Sequence, residues 1–132
     1  MEVHLKLTGV ILVSLGLIHV IFPKYFKWKD EMERVSLINK QMMYVHTFFI
    51  ALVLVLMGVL CIDSAQELIT TKLGGRISLG LSIFWIARLV IQFFGYSPEL
   101  WRGKKIESII HVIFILLWTY IGTVFGLVYY YS

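Results

Sequence analysis

The chain has 132 residues, 59% of them hydrophobic and only 15% charged, with a formal charge of +4 and a mean hydropathy of +0.84. Soluble domains carry about 45–50% apolar and about 25% charged residues, so the composition argues against a soluble fold and for lipid as the solvent. The basic residues sit in short stretches between apolar runs, which is not a nucleic-acid pattern, and the single cysteine, Cys61, excludes an internal disulfide framework.

Four apolar segments follow in chain order. The first is about Leu5–Phe22. It starts near Lys6 like a signal peptide, but "HVIFPKYF" follows without a small-x-small cleavage site, so it reads as a retained span. Pro23 is expected to end it, because the proline ring breaks the helical ladder. The connection "PKYFKWKDEMERVSLINKQ" is long and charged. Its Tyr25, Phe26 and Trp28 alternate with lysines, as in a segment lying at headgroup level.

The second span is about Met43–Ile62, and "DSAQELITTKLGG" after it is short, with Gly74-Gly75 punctuating it before the third span, about Ile77–Tyr96. "SPELWRGKK" makes a turn into the fourth, about Ile106–Tyr130. The tail "YYYS" gives an aromatic belt where that helix leaves the bilayer. Each segment approaches or exceeds the roughly 20 residues that cross about 30 Å of hydrocarbon. Helices satisfy their own backbone groups in lipid. The expected fold is all-α: a polytopic membrane protein with an antiparallel four-helix bundle and an interfacial segment between helices one and two.

Lys and Arg counts set the orientation. Lys24, Lys27, Lys29, Arg34 and Lys40 follow span one, and Arg102, Lys104 and Lys105 follow span three; the opposite side has Lys6, Lys72 and Arg76. The positive-inside rule places the richer face in the cytoplasm and both termini outside, as in a bacterial inner membrane.

Arg88 lies well inside the third span, with Gln92 one turn later. Ionisable groups in hydrocarbon are expensive and mark function. Three of the four histidines are also inside spans: His19 late in the first, His46 early in the second and His111 early in the fourth. Alternating helix direction brings all of these to one level, roughly 5–12 Å below the cytoplasmic face at 1.5 Å per residue. The faces agree: Thr8, Leu12, Leu15, Gly16 and His19 form one stripe, Leu81, Phe84, Arg88 and Gln92 a second, and Glu107, His111, Trp118, Gly122 and Gly126 a third. Glu107 either accepts the His111 N–H and fixes its tautomer or is a solvated headgroup-level charge. Arg88 is expected to face the histidine cluster.

Several chemistries fit these groups. A haem b would use imidazoles as axial ligands, Arg88 for a propionate and Phe48, Phe49, Phe93 and Phe94 as an apolar wall, for a redox or electron-transfer role. A divalent zinc or iron ion held by His19, His46 and His111 would leave an open position for metal-assisted chemistry on an anionic substrate. The nearby guanidinium would repel the ion unless Glu107 or the substrate offset it. Without a metal, His, Gln and Arg would bind quinone carbonyls or line a proton or anion path, as in a small transporter or channel module. The plainest alternative is interhelical hydrogen bonding at about 0.6 kcal/mol per bond. No phosphate-binding loop or nucleophile elbow occurs, and catalytic residues are not identified. Gly-rich faces in spans one and four permit a homo-oligomer.

The run "IFPKYFKWKDEMERVSLINKQMMYVHTFFIALVLVLMG", with "ARLVIQFFGY", resembles uncharacterised small four-span bacterial membrane proteins over most of the chain. The resemblance implies a bacterial origin and brings no activity or cofactor with it.

Overall fold

Residues 2–25, 33–94 and 105–131 are described by a computed structural model, with side chains at 22–25 and 107 outside the description. The helices are α1 (Glu2–Tyr25), α2 (Leu37–Asp63), α3 (Ala65–Thr70), α4 (Lys72–Phe94) and α5 (Lys105–Tyr131). No strand occurs among the described residues. Glu2–Ile21, Leu37–Asp63, Lys72–Phe94 and Ser108–Tyr131 are each long and apolar enough to cross a membrane. The all-α, four-span fold class read from the sequence holds.

Three boundaries differ from the sequence reading. Helix α1 continues through Pro23 to Tyr25. Pro23 offers no N–H to the carbonyl four residues back, and α1 ends two residues beyond it rather than at it. Helix α2 starts at Leu37, before the apolar run, with Ser36 at its N-cap and Lys40 N–H bonded to the Ser36 carbonyl at 2.9 Å. Hydropathy detects only the part in hydrocarbon; the polar turn "NKQ" extends the same helix into the headgroup zone. Gly74-Gly75 lies inside α4 rather than before it. There the break is Thr71, whose hydroxyl accepts the Gly74 N–H at 2.9 Å and donates to the Glu67 carbonyl at 2.6 Å, capping α4. Gly74 serves close packing: a Cβ there would overlap the Glu67 carbonyl oxygen and sit 2.5 Å from the Leu68 Cα. Of the expected interfacial segment, Tyr25 closes α1, while Phe26 and Trp28 lie outside the described residues.

The chain divides into two compact units, Lys6–Ala65, and Met1–Leu5 with Gln66–Ser132. In the first, α1 and α2 run antiparallel in close backbone contact. A Cβ on Gly9 would lie 2.6 Å from the Gly58 carbonyl oxygen, one on Gly58 equally near that of Gly9, and one on Gly16 2.8 Å from that of Ala51. The stripe read from the sequence is the packing face: Thr8, Leu12, Leu15 and Gly16 are buried. Lipid gives helices no hydrophobic reason to associate, so close approach over small residues supplies the attraction.

In the second unit, α4 and α5 are antiparallel. The Ser82 hydroxyl donates across to the Gly122 carbonyl at 2.9 Å. Gly122 faces Ile86, and Gly126 faces the Ser82 hydroxyl, each leaving only 3.3 Å to a would-be Cβ. The glycines expected to permit oligomerisation are thus engaged by helices of the same chain. Large apolar side chains lie outside: Phe48, Phe49, Phe93 and Phe94 are 60%, 53%, 53% and 84% exposed. The buried positions mix bulky apolar side chains such as Leu5, Leu12 and Phe125 with the polar Thr8, Ser78, Ser82 and Gln92; with lipid as solvent, burial of the remaining apolar groups gains nothing.

Candidate ligand site on α4 and α5

Helix α4 buries Ser78, Ser82, Trp85 and Gln92 along one face. The face is rotated slightly from the expected one, so Phe84 is half exposed and Trp85 is 3% exposed. Gln92 is 4% exposed, and burying its amide in hydrocarbon requires partners. It has three. Its Oε1 accepts from Arg88 Nη1 at 3.3 Å and from Trp118 Nε1 at 3.3 Å, and its Nε2 lies 2.9 Å from His111 Nδ1.

This network fixes a tautomer. Guanidinium and indole N–H groups only donate, so the amide oxygen must face them. The amide nitrogen then faces His111 and donates, so Nδ1 of His111 accepts and its ring proton is on Nε2.

Aromatic rings surround the network. The Arg88 Cζ lies 5.2 Å from the centroid of the Trp118 ring, a cation–π contact worth about 0.5–2 kcal/mol. Trp118 stacks on Trp85 with centroids 5.1 Å apart and on Phe114 at 5.5 Å, with interplanar angles of 17° and 8°. The Trp85 Nε1 is buried with no hydrogen-bond partner among the described residues. Such a donor costs about 1–3 kcal/mol unless something occupies its site. Beginning at Trp118, a groove of about 300 Å³ runs along α4 and α5 past Leu89, Ile86, Gly122 and Ser82 to Gly126 and Leu127.

The structure therefore joins three of the expected site residues, Arg88, Gln92 and His111. His19 and His46 belong to the other unit. His19 is half buried, and its Nδ1 donates to the Leu15 carbonyl in its own helix at 2.7 Å. His46 is exposed. Among the described residues, no group of three or more His, Cys, Asp or Glu side chains could hold a metal ion. Equal depth along the spans does not set helix rotation. The Glu107 side chain lies outside the described residues. His4, the fourth histidine, is exposed, with its Nδ1 2.9 Å from the Tyr120 hydroxyl.

The sequence reading placed Trp118 on the His111 stripe and left Trp85 out of the site. Their spacing held a signal: Trp85 is three residues before Arg88 and Trp118 seven after His111, on the faces of the two polar groups. The chain matches no known family model, no curated protein and no solved structure.

Proposed function

We propose that this is a small integral membrane protein whose α4–α5 pair binds a lipid-soluble, carbonyl-bearing ligand of the quinone type. The observation that carries it is the Trp85 indole N–H: a buried donor without an acceptor, stacked against the ring that the Arg88–Gln92–His111 network holds. An indole N–H only donates, so the complementary ligand presents an acceptor oxygen. The apolar groove leading away from Trp118 suits an isoprenoid tail lying between helices. Binding requires no metal, in keeping with the lack of a ligating cluster among the described residues. The setting we infer is a bacterial inner membrane with both termini outside, on the distribution of Lys and Arg.

Titration of the detergent-purified chain with ubiquinone-1, read by tryptophan fluorescence, tests this. Saturable quenching that weakens about 2- to 12-fold in Trp85→Phe, the loss of one hydrogen bond worth about 0.5–1.5 kcal/mol, supports it. Identical binding in Trp85→Phe and Gln92→Leu refutes it. A reducible Soret band in the purified protein would instead assign the site to haem.

A further inference from the structure

A second cleft lies at the opposite end of α4, some four turns from the Arg88 network. It is lined by Thr70, Thr71, Lys72, Gly75, Arg76, Leu79 and Tyr129 and encloses about 540 Å³. Antiparallel packing explains why these residues meet: Gly126 sits opposite Ser82, so Tyr129, one turn later on α5, lies opposite Leu79, one turn earlier on α4. The chain positions are those of a membrane boundary. Lys72 opens the third span, and Tyr129 is in the last turn of the fourth.

The chemistry of the cleft is one-sided. Lys72 and Arg76 are four residues apart on one helix face, both exposed. The lining contains no carboxylate. Like charges at this spacing repel, and the repulsion is relieved by an anion between them. The threonine hydroxyl protons are already committed to backbone, Thr70 to the Gln66 carbonyl at 2.8 Å and Thr71 to that of Glu67 at 2.6 Å. Recognition thus falls to the ammonium and the guanidinium, and a guanidinium offers paired N–H groups that match two phosphate oxygens. Below the cations, Leu79 and the Tyr129 ring give the cleft an apolar floor that continues into the span.

We infer that this cleft is a phosphate site for the headgroup of an anionic phospholipid, with Lys72 and Arg76 on the phosphate and Leu79 and Tyr129 against the first part of an acyl chain. It is independent of the ligand site near Gln92.

Native mass spectrometry of the full chain, released from detergent containing dioleoylphosphatidylglycerol or dioleoylphosphatidylcholine, tests the inference. Wild type should retain phosphatidylglycerol over phosphatidylcholine. Lys72→Gln and Arg76→Gln should each weaken that retention about fivefold, the equivalent of about 1 kcal/mol per interfacial cation. Lys105→Gln, a cation beyond the other end of the spans, should change nothing, and the charge-keeping pair Lys72→Arg with Arg76→Lys should retain the lipid. A parallel arm adds inorganic phosphate. Displacement of phosphatidylglycerol only at concentrations that screen all charge supports a lipid headgroup, whereas tight binding of inorganic phosphate alone, lost in the glutamine variants, would overturn the lipid assignment in favour of a free phosphate. Equal retention of the two lipids, or retention unchanged in both glutamine variants with helical content intact by circular dichroism, overturns the site altogether.

Discussion

Replacing Gln92 by leucine removes the amide that ties α4 to α5 at its polar level while keeping a side chain of similar reach. Two of the three bonds cross between helices, the one to His111 at 2.9 Å and the one from Trp118 at 3.3 Å. Interhelical bonds in membranes average about 0.6 kcal/mol each, so their direct loss is about 1 kcal/mol. Trp118 is 5% exposed, and leaving its N–H without this acceptor adds about 1–3 kcal/mol. The 3.3 Å separation is long for N–H···O, which favours the lower end, about 2 kcal/mol in all. Unfolding by sodium dodecyl sulfate in mixed micelles, followed by circular dichroism, reads this directly. Gln92→Glu separates the hydrogen-bond argument from simple packing. A carboxylate still accepts from Arg88 and Trp118 but cannot donate to an imidazole lone pair, so His111 must move its proton to Nδ1 or become an imidazolium. Nitrogen-15 NMR of selectively labelled histidine should show Nδ1 unprotonated in wild type and protonated in Gln92→Glu. A protonated Nδ1 in wild type, or stability unchanged in Gln92→Leu, would refute the network as described.

Other outcomes follow from the same geometry. Gly58→Leu should separate α1 from α2, because even its Cβ would lie 2.6 Å from the Gly9 carbonyl oxygen and 2.9 Å from the Val13 nitrogen; a loss of at least about 1–3 kcal/mol in the same unfolding assay is expected, as for overpacked cores. Gly80→Leu is the matched control, since nothing lies within 4 Å of a Cβ there, and it should be nearly neutral. Ser82→Ala should cost about 0.6 kcal/mol, one interhelical bond, while His4→Phe, at an exposed contact to Tyr120, should change stability by less than about 0.5 kcal/mol. Elemental analysis after prolonged chelation should leave helical content and ubiquinone-1 binding unchanged; loss of either together with stoichiometric zinc or iron would restore the metal reading.

Amino-acid order alone determined the four spans, because the length and apolarity needed to cross a bilayer are properties of a segment and need no neighbour. It also determined that Arg88, Gln92 and His111 share a level, since antiparallel threading converts position along the chain into depth. It missed the helical turns at Leu37 and Lys72, where the chain is polar but still helical, and it treated Gly74-Gly75 as punctuation when Gly74 is a packing contact. Tertiary structure alone decided rotation. A few tens of degrees about the α4 axis separate a buried Trp85 from an exposed Phe84. Hydrophobicity cannot supply that angle in lipid, where both sides of a helix are apolar. The angle is set by which small residues let backbones touch and by which polar groups find partners, and both depend on pairs of residues distant in the chain.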